Sequence, residues 1–224
     1  MSRAPSWDGL ALLPRSMGMV PAMELATSSG RTAGTEPVPV RLAVVAHAPT
    51  PSTSKAVFGG ADEIIRPKAV KQIRERVACW VSAPEPACVV TAGQLGGDPQ
   101  PLAALRGVDF GSWSGRTLAE VRAADSAGLA EWLADPAAAP HGGESLLHVI
   151  GRVGGVVDAY AWPDGLSVAV VSPLVARAIA VHALSVPAES IFRVDVGPLG
   201  RVLLSRAPVG WRLQALDRRV SSAS

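Results

Sequence analysis

Three short runs of small and β-branched apolar residues constrain the fold more than any other feature of this chain. They are residues 41–46 (RLAVVA), 87–91 (ACVVT) and 167–171 (SVAVV). Each has strand length and none alternates polar with apolar, so each reads as a strand buried on both faces. Segments of helical period separate them. Pro67 opens one, with Val70, Ile73, Val77, Trp80 and Val81 on one face and Pro84 and Pro86 at its end. Residues 93–101 read as loop. Thr117 and Glu120 form a capping box ahead of Leu118, Val121, Leu129, Trp132 and Leu133, and Asp135-Pro136 closes that helix. Ser145 caps a helix bearing Leu147, Ile150, Val153, Val157 and Tyr160. Residues 174–184 read as a short helix, and Val194, 202–204 and 211–213 as later strands.

Strands alternating with helices predict an α/β three-layer sandwich, with a mostly parallel central sheet and helices on both faces. Ligands of such sheets sit beyond the carboxyl ends of the strands. Two places follow: the loop opened by His47, and the strand exit at Ser172.

The chain has 224 residues, enough for one such domain with a substantial core. We expect the domain over residues 39–216, between a flexible extension (1–38) and a short tail (217–224). Residues 1–38 are rich in Pro, Ser, Gly, Thr and Met without periodicity, and Met17, Met19 and Met23 are alternative starts. Hydrophobic residues are 48% and charged residues 18%, which excludes global disorder. The 21 basic residues nearly balance the 19 acidic ones, and no basic stripe or stacking aromatic cluster marks a nucleic-acid surface. The most apolar stretch, residues 167–184, is broken by Pro173 and Arg177, whereas a membrane span needs roughly 18 uninterrupted apolar residues. Cys79 and Cys88 form no disulfide framework and no C-x-x-C motif, which makes a reducing cytoplasm the default location.

Several motifs fail on inspection. Residues 111–117 (GSWSGRT) are one residue short of a phosphate loop, with Arg116 in place of its lysine. Ser52-x-x-Lys55 lacks the companion motifs of a β-lactamase. Among His47, His141, His148 and His182 none is spaced H-x-x-x-H, and both cysteines lie far off. No metal or other cofactor is expected.

A series of segments in order resembles the histidine phosphatase (phosphoglycerate-mutase-like) superfamily, over about residues 40–216. Residues 44–50 (VVAHAPT) resemble its R-H-G-E-T loop after the first strand. Residues 105–115 (LRGVDFGSWSG) resemble its L-x-E-x-D-F-G-x-W-x-G segment. Trp132-x-x-Asp135-Pro136 and Gly142-Gly143-Glu144-Ser145 match W-x-x-D-P and G-G-E-S. Residues 170–173 with Arg177 resemble the V-S-H-x-x-x-x-R strand exit, and residues 192–198 the near-terminal segment.

The resemblance implies a nucleophilic histidine at His47. It also implies two arginines and a second histidine around the phosphate, and a carboxylic acid that protonates the leaving oxygen. A phosphate carries about −1.5 to −2 charge at neutral pH, so such a pocket must be positive. The departures fall on those positions. Ala46 replaces the arginine before the nucleophile, and Ala48 and Pro49 replace the Gly-Glu after it. The second arginine, expected after strand two in an S-P-x-x-R-x-x-Q-T-A-like segment, is absent from residues 91–96 (TAGQLG). Gly107 stands at the proton-donor position, leaving Asp109 as the nearest carboxylate. Ser172 stands at the second histidine.

An arginine at a phosphoryl transition state is worth roughly 10³–10⁵ in rate and a general acid about 10²–10⁴. The expectation is a degenerate member of the family that binds a small phosphorylated ligand or a protein partner. His47, Asp109, Thr50, Ser172 and Glu144 are the candidate site residues. The alternative is an active phosphomonoesterase in which Lys55, Arg66 or Arg177 supplies the missing charge. Trp113 and Trp132 read as core, and His141 and His182 as structural or exposed.

Overall fold

The computed structural model describes residues 38–60 and 70–217. The chain enters through β1 (Val40–Ala46), a short α1 (Pro51–Ser54), β2 (Val77–Ser82) and α2 (Pro86–Gln94). A two-residue β3 (Gln100–Pro101) and two 3₁₀ turns (Ala103–Leu105, Gly111–Trp113) follow. Then come α3 (Leu118–Ala124), α4 (Ser126–Ala134), α5 (Leu146–Ala159), β4 (Gly165–Val171) and α6 (Pro173–Ala183). A 3₁₀ segment (Ala188–Arg193) leads into the hairpin β5 (Arg201–Ala207) and β6 (Gly210–Asp217).

The six strands form one sheet in the order β3-β2-β4-β1-β5-β6. β1, β2, β3 and β4 run parallel, with Ala46 opposite Val171 and Ser82 opposite Val170. β5 and β6 are antiparallel additions on the β1 side. Helices flank this sheet, as expected for the α/β sandwich. The central strands are apolar throughout because both their faces are covered: Leu42 to Ala46 and Val168 to Val171 are all at most 1% exposed. No helix among the described residues is long and apolar enough to cross a membrane.

The second βα unit corrects the sequence reading. Residues 77–82, expected at the end of a helix, are β2, and residues 87–91, expected as a strand, lie inside α2. Residues 70–76, the described part of the expected helix, carry no regular structure. The cause is proline placement. Pro86 sits in the first turn of α2, where its missing N–H costs nothing, so Pro84-Glu85-Pro86 starts a helix instead of ending one. Three smaller differences follow. Gly93 and Gln94 belong to α2 and not to a loop. The helix expected from Thr117 to Asp135 is two, because Asp125 ends α3 and its side chain caps α4 through the Gly128 amide. Val194 follows a 3₁₀ segment and is not in a strand. The capping box at Thr117 and Glu120 and the Ser145 cap are present as expected. The 1–38 and 218–224 readings fall outside the described residues, apart from Val38, and Asp217 belongs to β6 and pairs with Arg201.

Candidate functional site

The carboxyl ends of β1, β4 and β2 converge. The His47 amide donates to the Val171 carbonyl at 2.8 Å, one residue before Ser172, and the Ala83 amide donates to the Val170 carbonyl at 2.8 Å. A cavity of about 670 Å³ opens above them, within the usual range for small-molecule sites. His47, Glu85, Arg106, Asp109, Ser172 and Arg177 supply its polar lining. Phe58, Leu118, Trp132, Leu133, Leu174 and Phe192 supply much of the rest.

His47 is buried, 2% exposed. Its Nδ1 lies 2.8 Å from the Ala48 carbonyl. A carbonyl only accepts, so Nδ1 carries the proton and Nε2 the lone pair. Burial pushes the imidazole pKa below its ordinary value, against the raising effects of the Ala48 carbonyl and the Glu85 charge. The ring is therefore neutral at pH 7. The Ala48 amide is fixed in turn by Thr91 Oγ1 at 2.9 Å, and that hydroxyl donates to the Ala87 carbonyl at 2.6 Å. Thus α2 holds the loop that carries His47.

With β2 at Val77–Ser82, residues 83–92 (APEPACVVTA) align with the S-P-x-x-R-x-x-Q-T-A-like segment. Pro84, Thr91 and Ala92 match it, and Ala87, fully buried, falls at the position where the resemblance implies the arginine. The shifted reading of residues 91–96 missed this register. It also missed Glu85, whose carboxylate lines the cavity. Glu85 Oε1 accepts the Gly107 amide, and a Cβ built on Gly107 would lie 3.2 Å from that oxygen. Oε2 is buried without a partner among the described residues.

The other sequence candidates divide. Asp109 and Ser172 line the cavity with His47. Asp109 Oδ1 accepts the Gly111 amide, and Ser172 caps α6 through the Val175 amide. Thr50 does not line the cavity: it is buried as the cap of α1, in a reciprocal pair with Thr53. Glu144 does not line it either. Its carboxylate, 5% exposed, takes a two-pronged ion pair from Arg152 (2.9 and 2.8 Å) and one bond from Arg106 (2.9 Å). Arg152 also donates to the carbonyls of Ala104 and Arg106, so this cluster clamps the 104–107 segment under α5.

The G-G-E-S and D-F-G segments meet for a steric reason. A Cβ on Gly143 would stand 2.1 Å from the Asp109 carbonyl, and one on Gly111, at φ +45°, 2.1 Å from the His141 carbonyl. Only glycine permits this approach. It is closed by Glu144 N–H to Asp109 O and Ser112 N–H to His141 O, at 2.8 and 2.9 Å. His141 is buried in an aromatic cluster with Phe110, Trp113 and Trp132, and the Trp113 and Trp132 side chains are core as expected.

Among the described residues, Arg106 and Arg177 are the basic side chains of the cavity lining. Arg106 is engaged by Glu144. Arg177 donates to the Val196 carbonyl at 3.3 Å, and its buried Nε has no partner among the described residues. Lys55 lines a separate small depression, and Arg66 is outside the described residues.

Residues 68–218 match the family profile of the histidine phosphatase superfamily (branch 1). The match starts after β1, so the altered His47 loop lies outside it. A search of curated proteins gives no match. Among solved structures, a mycobacterial hydrolase superposes with a TM-score of 0.69 at 24% identity, covering 82% of this chain and 99% of that one. A mycobacterial glucosyl-3-phosphoglycerate phosphatase gives 0.66 at 22% identity, covering 80% and 99%. The alpha-ribazole phosphatase of Shigella flexneri gives 0.66 at 16%, covering 82% and 100%. At these identities the likeness is one of fold.

Proposed function

The chain belongs to the histidine phosphatase superfamily, branch 1, and we propose that it binds a ligand where its relatives transfer a phosphoryl group. The observation that carries this reading is the charge beside His47. The Glu85 and Asp109 carboxylates line the cavity with His47, and both lining arginines are bonded to protein groups. Phosphoryl transfer is mostly positioning and charge stabilisation, and that requires cations aimed at the phosphate oxygens. Ala46, Ala87 and Ser172 bring none. A dianion entering here meets a carboxylate and loses its hydration without compensation.

His47 keeps the tautomer a nucleophile needs, with its lone pair on Nε2. Without a positive pocket that lone pair has no phosphorus to attack. Inorganic phosphate titrated into the protein and followed by ³¹P NMR tests the reading. No saturable binding at millimolar phosphate, and no phosphohistidine after incubation with acetyl phosphate, are expected. Saturable binding with a trapped phosphohistidine that disappears in His47→Ala contradicts it.

One observation favours the second reading, an active phosphomonoesterase with a relocated cation. Arg177 lines the cavity, and its Nε is without a partner. That reading requires Arg177→Ala to abolish a turnover that also depends on His47.

A further inference from the structure

The floor of the cavity has exchanged hydrogen-bond donors for acceptors. A phosphate site presents guanidinium and imidazolium protons. Here His47 presents a lone pair on Nε2, because Nδ1–H is used by the Ala48 carbonyl. Glu85 presents a carboxylate whose Oε1 is shared with the Gly107 amide and whose Oε2 has no partner among the described residues. Asp109 adds a second carboxylate to the lining. Of the lining guanidiniums, Arg106 serves the buried Glu144 carboxylate, and Arg177 donates to the Val196 carbonyl and keeps its unpartnered Nε buried.

Above the floor the walls are apolar and aromatic. Trp132 and Phe192 meet edge to face at 5.3 Å, and Phe58 stands beside Trp132 at 5.9 Å. Leu118 and Leu133 line the same cavity with 44% and 51% of their surface still exposed. A large apolar opening over a polar floor suits a ligand with an apolar body and a small polar head.

We infer that this cavity takes an organic ammonium ion with an apolar body, its head donating to Glu85 and His47 and its body lying against Trp132, Phe192, Leu118 and Leu133. The inference rests on the reading of the site as a non-hydrolytic binding cavity and names its ligand class. An ammonium group offers up to three donors and no acceptor, the complement of this floor. Its charge offsets the carboxylate that repels phosphate, and the aromatic and aliphatic walls take the apolar body out of water.

Three probes with one tail separate the head-group chemistries: octylammonium, 1-octanol and octyl phosphate. Binding is read by calorimetry and by ¹H–¹⁵N NMR shifts around His47, Glu85 and Trp132. Octylammonium is expected to bind about tenfold or more tighter than octanol, as one charge-assisted hydrogen bond allows, and octyl phosphate to bind weakest. Glu85→Gln keeps an oxygen for the Gly107 amide and removes the charge, so the ammonium-to-alcohol ratio should fall to near one while octanol binding persists. A ratio unchanged in Glu85→Gln, binding that shifts signals elsewhere, failure of octylammonium to bind, or preference for octyl phosphate overturns the inference. The two readings fail separately. Hydrolysis of octyl phosphate that is lost in His47→Ala sinks the non-hydrolytic reading. Indifference to the head group without hydrolysis sinks only the ammonium inference.

Discussion

The Glu85 carboxylate fills the space into which a side chain at Gly107 would project: Oε1 accepts the Gly107 amide, 3.2 Å from where a Cβ would stand. The position at which the resemblance implies an acid thus has no side chain here, and the Glu85 carboxylate covers it. Removing the acceptor leaves a part-buried amide without its partner. Glu85→Ala should cost about 1–3 kcal/mol in urea denaturation. It should also lower the His47 pKa further, since the Glu85 charge raises it. An NMR titration of the His47 ring that shows an unchanged or higher pKa would count against this coupling.

The Glu144 cluster separates a buried from an exposed ion pair. Arg152 is 11% exposed at its side chain and Glu144 5%, whereas Arg106 is 42% exposed. Glu144→Ala strands the Arg152 charge and should cost about 3–5 kcal/mol. Arg106→Ala should cost only about 0–1 kcal/mol, because its pair is screened by solvent. Denaturant midpoints of the two variants measure the contrast, and equal losses would refute it.

Thr91 ties α2 to the His47 loop through the Ala48 amide. Thr91→Val keeps the shape and deletes the acceptor, so a buried N–H goes unpaired at a cost of about 1–3 kcal/mol. Hydrogen exchange at Ala48 should accelerate relative to the β1 amides. Unaltered protection there would show that the loop is held by something else.

Stability should fall on mild acidification. Burial holds His47 and His141 below the ordinary value of 6.5, and Asp109 opposes that effect at His141. The unfolded chain therefore binds these protons at a higher pH than the folded one. The stability from both neutral rings is full above about 6.5 and declines as pH falls below it. Urea midpoints at about pH 7.5 and 5.5 should drop in the wild type. The drop should shrink in His141→Asn, which keeps an acceptor for the Gly143 amide. A pH-independent midpoint would contradict the burial argument.

Much of this architecture was legible because strands buried on both faces write continuous apolar runs. β1 and β4 are such runs, and their ends bring His47 and Ser172 together. The same property misled the reading between them. Val77, Trp80 and Val81 fit a helical face and a buried strand equally, and 87–91 looks like a strand because α2 is also buried. Pro86 was the available discriminator, since it suits a first helical turn better than a strand. That error hid Glu85, the polar residue that most alters the site, between two prolines at a misassigned boundary. Glu144 and Thr50 stood in motif-like segments, but their side chains are consumed by Arg152 and by a helix cap. Such pairing is a matter of tertiary approach and leaves no mark in spacing.

Steady-state hydrolysis of a panel of small phosphomonoesters, compared between the wild type and His47→Ala, tests the central claim most directly. The account predicts no turnover in the wild type above the His47→Ala background, because Ala46, Ala87 and Ser172 bring no cation to the site and the Glu85 carboxylate lines it. Turnover in the ordinary enzymatic range of about 1 s⁻¹ or more, abolished by His47→Ala, would contradict it.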